Sequence, residues 1–411
     1  MHSMPHEPSR YDAAVFDPFD PSQSRDAWDL LHRLRDESPI ATVAGGLRYV
    51  TRHTEARAVL RDTETFSNAS GLKAPGVVIP LEDRLLGELD PPRHTAVRRV
   101  MVTAMTPKVV HSAEPFIEST AAALLDALTD DHFDLVSSYT GVLPNRVTMY
   151  LLGFDPADAD QLARWAKELM ESTFPALNQT ERGVGFAAAF PDFAGYIDER
   201  IAERTAQLAA GEERADVLAR LIRLEVDEEP LPPEQLRALV RNLITGGLTT
   251  TSQLLGNLLF EILANPAVET ALREDRALLD VAIEESLRMT PPVLFMARGC
   301  VRDTEIGGCP VGAGERVVIG AASANRDDRV FEDADEFHVD RANADQHLTF
   351  GYGTHVCPGA TLARAVARIG ITAVLDRFAP ASLQLEPGFT FEQVPTYFEH
   401  GPRRLPVIQT P

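Results

Sequence analysis

The chain has 411 residues, 44% apolar and 24% charged, an ordinary balance for a globular protein with a large core. Its 39 basic and 61 acidic residues give a net charge of −22, which argues against nucleic acid and anionic membranes as partners, because phosphate binding needs basic surface. Three cysteines with no C-x-x-C pair exclude a disulfide framework and the usual zinc or iron–sulfur sites.

No apolar run approaches the roughly 18 residues of a membrane span. The stretch Met1–Asp20 is polar and proline-rich, without the basic-then-apolar order of a signal peptide, so a cytoplasmic protein is expected. Residues 1–25 read as an extended arm and Arg25–Glu37 as a short amphipathic helix. Ile40–Val43 and Leu47–Thr51 flank Gly45-Gly46 and predict a β-hairpin. His53–Arg61 is helical in pattern, and Ser67–Pro80, rich in Gly, Pro, Ser and Asn, is a loop.

From Arg93 to Leu287 the pattern is helical, broken at Pro107, Pro144, Gly153, around Pro175, at Gly211, at Pro230–Pro233 and at Asn265-Pro266. Strand-like stretches return at Val293–Cys300 and Arg316–Gly320, and Ser382–Ile408 is mixed and irregular. Length alone suggests two or three domains. The pattern instead predicts one domain over 1–411, mainly α with a small β region (α+β) built from both chain ends.

Within the long helix predicted over Glu234–Asn265, apolar residues such as Leu239, Val240, Ile244, Leu255, Leu258 and Ile262 recur on more than one face, so the helix is buried. Its middle reads Thr245-Gly246-Gly247-Leu248-Thr249-Thr250-Thr251. Two mid-helix glycines cost roughly 1 kcal/mol each against alanine. That implies a close approach or a kink.

Near the C-terminus stands Phe350-Gly351-Tyr352-Gly353-Thr354-His355-Val356-Cys357-Pro358-Gly359, a lone cysteine among glycines just ahead of an apolar helical run. The glycines let backbone approach a flat cofactor. The following helix points its N-terminal dipole at the sulfur and favours a thiolate, and Pro358 suits a first helical position.

This segment matches all six fixed positions of F-G-x-G-x-H-x-C-x-G, the haem-ligand loop of the cytochrome P-450 monooxygenases, and on it the chain resembles that family from about Asp17 to Pro406. The resemblance implies a triangular haem-thiolate cytochrome fold. Haem b (iron protoporphyrin IX) would lie between the long distal helix and a proximal helix led by the Cys loop, with Cys357 as the iron ligand. Phe350, Gly351 and Gly359 would border the haem. His94 and Arg98, four apart in Asp90–Arg99, would hold the propionates with Arg298 and His355.

The family's distal motif (small residue, Gly, any residue, acid, Thr) aligns with Gly246, Gly247, Leu248, Thr249 and Thr250. Thr250 takes the role of the alcohol that helps deliver protons. The acid is missing and Thr249 stands in its place. A threonine hydroxyl relays only through a neighbouring water, so three readings stay open: such a relay, oxygen taken from peroxide, or a reaction other than oxygenation. Glu285 and Arg288 form the family's E-x-x-R pair bracing the haem-side core, with Arg341 as a candidate third member.

By family position the substrate pocket draws on 67–85, 174–193, 246–250, 292–296 and 396–398. Gly246, Gly247, Val293, Leu294, Phe295 and Phe398 are candidate contacts, with Phe174, Phe186, Phe190 and Phe193 either pocket or core. The implied reaction inserts one oxygen atom from dioxygen into a small apolar or aromatic molecule by hydroxylation, dealkylation or epoxidation. Electrons would come ultimately from NAD(P)H through a separate ferredoxin or flavodoxin, since the chain carries no G-x-G-x-x-G or iron–sulfur pattern. Arg364 and Arg368 with Arg99 would form a basic docking patch or be scattered helix-surface arginines. A monomer is expected. The alternatives are a peroxide-driven oxygenase, a nitric oxide reductase of the same family, or a haem-binding sensor.

Overall fold

The computed structural model describes residues 16–24, 27–71, 84–173, 185–226 and 228–410. Most of the expected N-terminal arm, the loop over 72–80, the break around Pro175 and Phe174 lie outside these residues.

The first predicted helix runs Trp28–Glu37 (α1), starting three residues later than the sequence suggests. Next comes the hairpin of β1 (Ile40–Val43) and β2 (Leu47–Val50), paired antiparallel with Ile40 opposite Val50. Gly45 and Gly46 turn it at φ of +70° and +73°, a region costly for other residues. Helix α2 (His53–Arg61) buries His53, Ala56, Val59 and Leu60, one face at helical spacing.

Three more short strands complete a five-stranded sheet: β3 (Phe66–Ser67), β4 (Met296–Cys300) and β5 (Arg316–Ile319), in the order β1-β2-β5-β4-β3. Strand β5 lies parallel to β2 and antiparallel to β4. The two ends of the chain thus close one sheet. Val317, Val318 and Ile319 are fully buried because β5 is central, with a core on each face. Val318 faces Tyr49, Phe295 and Ala322, while Val317 and Ile319 face Val50, Leu60 and Phe66.

A second sheet was not legible in the sequence. Leu383–Leu385 and Pro406–Gln409, in the tail expected to be irregular, pair with each other, and the latter also pairs with His132–Asp134. Strands of three or four residues carry too little alternation to be read from sequence.

The helical body contains α3 (Arg93–Ala104), α4 (Pro107–Asp126), α5 (Leu143–Leu152), α6 (Pro233–Ala264), α7 (Leu278–Met289) and α8 (Ala360–Arg377). Helix α8 lies along α4, and α6 crosses α5 and α8. Their shared core includes Ile117, Tyr139, Leu143, Leu255, Leu258, Ile371 and Val374. Residues are buried on every side of α6, as a helix apolar most of the way round requires.

The two adjacent glycines of α6, Gly246 and Gly247, have different reasons. A side chain at Gly247 would press on Thr148 Oγ1 of α5 at 2.9 Å, so glycine lets the helices approach. At Gly246 the nearest atom is Asn242 Nδ2 at 3.7 Å, and the residue opens onto a cavity.

Candidate active site

The loop ahead of α8 folds back so that Cys357 N–H donates to Phe350 O at 2.8 Å. Gly351 and Gly353 make the reversal possible at φ of +73° and +74°. Gly359 sits beside the thiol, its missing Cβ only 3.8 Å from Cys357 Sγ. Helix α8 begins at Ala360, so Pro358 belongs to the turn before it and not to the first helical position. The dipole argument for a thiolate is also outweighed here. Burial pushes the Cys357 thiol up, against the Gly359 and Ala360 N–H groups and the charges of Arg98 and Arg364. A cation bound at the sulfur would reverse that balance.

Cys357 faces α6 across a cavity of about 760 Å³ of empty space including its mouth. Gly246, Gly247, Thr250 and Thr251 form the α6 wall, and Phe350, Cys357, Gly359 and Leu362 the opposite one. Met101 and Met105 from α3 and its end, with Leu151 and Leu152 from α5, supply apolar sides. These four were missed in the sequence, where they look like any core face of a helix. Thr250 Oγ1 donates to Gly246 O at 2.9 Å, back-bonding within its own helix. Thr249 Oγ1 turns away from the helix and donates to Glu399 Oε1 at 2.5 Å. Glu399 was not singled out in the sequence, since nothing local marks it.

In the same region, His94 and His355 lie against each other with ring centroids 3.8 Å apart and planes inclined by 35°. All four of their ring nitrogens are buried without a partner among the described residues. Burial, then the neighbouring charges, pushes His94 down to about 4 and His355 to about 3. Arg298 is buried, lowered to about 10 by that burial, and donates to Ala297 O. Arg98 is lowered for the same reason, with Cys357 opposing. Buried polar groups are nearly always satisfied. Two orphaned imidazoles beside two guanidiniums therefore fit an anionic group that the chain itself does not supply. A flat cofactor carrying carboxylates and a metal for the thiol meets each of these donors.

Other candidates fall elsewhere. Leu294 and Phe295 do not line this cavity. Both are buried in a satellite core, where Phe295 meets Phe19 and Phe398 edge-on at 5.2 and 5.8 Å and stacks on Tyr397. Val293 pairs with Glu399 through a single β-bridge and, like Phe398, is not among the cavity residues. Phe186 and Phe193 are buried in the main core, with Phe190 packed against it. The basic patch is also corrected. Arg364 is bidentate to Glu284 at 2.6 Å and Arg368 pairs with Glu114 at 3.0 Å, so both charges are compensated. Arg99 is exposed.

Glu285 and Arg288 are fully buried and joined by two bonds of 2.7 and 2.8 Å. Arg341 Nε adds a third bond to Glu285 Oε1 at 2.8 Å. Through Arg288 the cluster also ties down the carbonyls of Asn325, Ala334 and Glu336, in the chain leading to the cysteine loop.

A thiol at the head of one helix, facing a threonine-bearing helix across an apolar cavity, with two partnerless imidazoles and two guanidiniums close by, defines a haem-thiolate class of site. The comparisons agree. The sequence model described as Cytochrome P450 matches residues 47–392. Erythromycin C-12 hydroxylase from Saccharopolyspora erythraea is 33% identical over 388 residues, covering 92% of this chain and 94% of the relative. Cyclomarin C epoxidase CymV from Salinispora arenicola is 32% identical over 78% of this chain and 79% of its own. A mutant of P450 EryK solved in complex with erythromycin B superposes with a TM-score of 0.84, at 32% identity, over 95% of this chain and 97% of that one. Cytochrome P450 CYP109Q5 from Chondromyces apiculatus also gives 0.84, at 29% identity, over 97% and 99%.

The chain belongs to the cytochrome P450 family, is an oxidoreductase with that family's monooxygenase chemistry, and has its fold. The family implies a haem and electrons derived from NAD(P)H. No helix among the described residues is long and apolar enough to cross a membrane.

Proposed function

We propose that this protein is a monooxygenase that places one oxygen atom from dioxygen into a small apolar or aromatic molecule, with electrons delivered by a separate ferredoxin or flavodoxin. The observation that carries this reading is the pair of buried, partnerless imidazoles of His94 and His355, with the charges of Arg98 and Arg298 acting on both, together with a cavity bounded by Cys357 and Thr250. Haem b would be held by Cys357 and these four residues, and when bound it supplies the activation of oxygen. Phe350, Gly351 and Gly359 shape the thiolate side. Thr250 stands at the cavity wall, where its hydroxyl can leave Gly246 O and hand on a proton.

Apolar walls such as Leu151, Leu152 and Leu243, with Asn242 and Thr148 as isolated polar contacts, favour an apolar substrate oriented by one or two hydrogen bonds. Optical titration of the haem-loaded ferric protein tests this. Small aromatics, terpenoids, fatty acids and macrolides serve as the panel, the last because one relative is an erythromycin hydroxylase. A shift from low toward high spin with one class names the substrate class. No shift with any class moves the reading to peroxide or nitric oxide as the ligand.

The propionate-holding role has its own test. Arg298→Met should weaken haem retention on the order of 10- to 100-fold, the worth of one charge-assisted hydrogen bond. Haem transfer to an acceptor protein measures it, and an unchanged transfer rate would remove Arg298 from the site.

A further inference from the structure

Helix α6 lacks an acid where the distal helix is expected to carry one, yet a buried acid reaches the same position from elsewhere in the chain. Glu399 lies in the segment between Gln393 and Pro402 and is 3% exposed. Its carboxylate takes the Thr249 hydroxyl at 2.5 Å, short for a hydroxyl–carboxyl bond. The segment is built to hold it there: Glu399 N–H donates to Thr396 Oγ1, Gln393 Nε2 donates to Glu399 O, and Val293 bridges it from the other side.

We propose that Glu399 and Thr249 form the proton entry to the cavity, the buried carboxyl passing its proton through the Thr249 hydroxyl toward Thr250. Thr249 is not itself among the cavity-lining residues, but Thr250, next along the helix, is, as are Gly246 and Gly247 one turn before it. The relay calls for one bridging water between the two hydroxyls, and the missing side chain at Gly246, four residues before Thr250, leaves open space there.

The step balances simply. In the ionised state the Thr249 hydroxyl donates to the carboxylate. Once the carboxyl is protonated the bond reverses: the Glu399 O–H bond breaks as Thr249 Oγ1 takes the proton, the Thr249 hydroxyl proton passes to the bridging water, and the cycle requires a proton from solvent to return to the carboxylate. No electrons move. Glu399 acts through Thr249 and touches no reacting atom.

The surroundings suit such a store. Burial raises the Glu399 carboxyl to about 7, against the lowering hydrogen bond from Thr249, so both protonation states are populated near neutrality. No charged side chain among the described residues acts on it. Helix α6 presents Thr249, the turn presents Thr396 and Gln393, and the chain after Pro292 presents Val293. His400, next in sequence, is pushed down to about 3 by burial and by Arg326, and so is neutral.

This inference rests on the monooxygenase reading, and the experiment separates the two. Infrared difference spectra of the haem-loaded protein should show a protonated-carboxyl band that fades as pH rises through about 7 and is missing from Glu399→Gln. In Thr249→Val the band should persist to higher pH, because the bond that lowers the carboxyl is gone. Glu399→Gln keeps an acceptor for Thr249, so a merely structural tie would leave turnover intact.

A relay predicts instead that dioxygen-dependent product formation falls on the order of 100-fold and the solvent isotope effect rises. Glu399→Asp should restore part of the loss. An absent band, a titration indifferent to Thr249→Val, or unchanged turnover in Glu399→Gln each overturns the relay. Wild-type protein that takes up haem but forms no product from dioxygen overturns the monooxygenase reading, while the infrared titration still decides whether Glu399 stores the proton.

Discussion

Cys357→Ala abolishes the thiolate-type carbonyl spectrum of the haem-loaded protein and its dioxygen-dependent turnover. No other thiol among the described residues can take over. Cys300 is buried in the five-stranded sheet and bonded to Arg302 O, and Cys309 lies in the hairpin pairing Thr304–Ile306 with Cys309–Val311. The loss is specific to the site, because Cys357 Sγ faces the cavity and leaves no hole in the core. The stability cost should stay near the roughly 1 kcal/mol typical of a point substitution, so far-UV circular dichroism and the melting transition change little. On the proposed reading, haem would still be held by His94, His355, Arg98 and Arg298, but without the electron density a thiolate supplies. A carbonyl spectrum unchanged from wild type would mean that Cys357 is not the ligand.

What the sequence shows and what it conceals divide along the range of the interactions. The hairpin around Gly45-Gly46, helix α2, the long helix and the cysteine loop are all legible, because each is written in neighbouring residues: a turn pair, an apolar period, or ten residues with fixed glycines. The double glycine announces a close approach, although not that Gly247 serves Thr148 while Gly246 serves the cavity.

Phe295 is misplaced by position alone. It stands just before strand β4, which carries Arg298, but a three-ring contact with Phe19, Tyr397 and Phe398 captures the side chain. Arg364 and Arg368 look like free cations in one dimension because their acids, Glu284 and Glu114, are 80 and 254 residues away. Glu399 is the strongest case. It is 150 residues from Thr249, in a stretch with no regular pattern, and only the fold brings the acid to a helix that has none.

Arg288→Ala should destabilise the protein by about 3–5 kcal/mol, the cost of removing one partner from a buried ion pair. That is a large share of a typical folding free energy of about 5–15 kcal/mol. Arg288 is fully buried and makes two bonds to Glu285 and one each to Asn325 O, Ala334 O and Glu336 O. Alanine takes a donor from each of them, leaving Glu336 O with Arg341 and Glu285 with only Arg341 and the His338 N–H. The urea midpoint reports the loss, and a shift within error would mean that the cluster does not hold the core.

The pH dependence has a definite sign. Burial alone would raise the Glu285 carboxyl, but Arg288, Arg341 and the His338 N–H hold it below the usual carboxylate range. A depressed folded pKa gives stability that is full above the unfolded value and lost as pH falls through the folded one. Without Arg288 that depression shrinks, so Arg288→Ala should unfold in acid at a higher pH than wild type. Arg288→Lys should recover little, since an ammonium cannot reproduce the planar fork that spans both Glu285 oxygens. The double change Glu285→Leu with Arg288→Met should cost less than Arg288→Ala alone, because it removes the buried charge together with its partner.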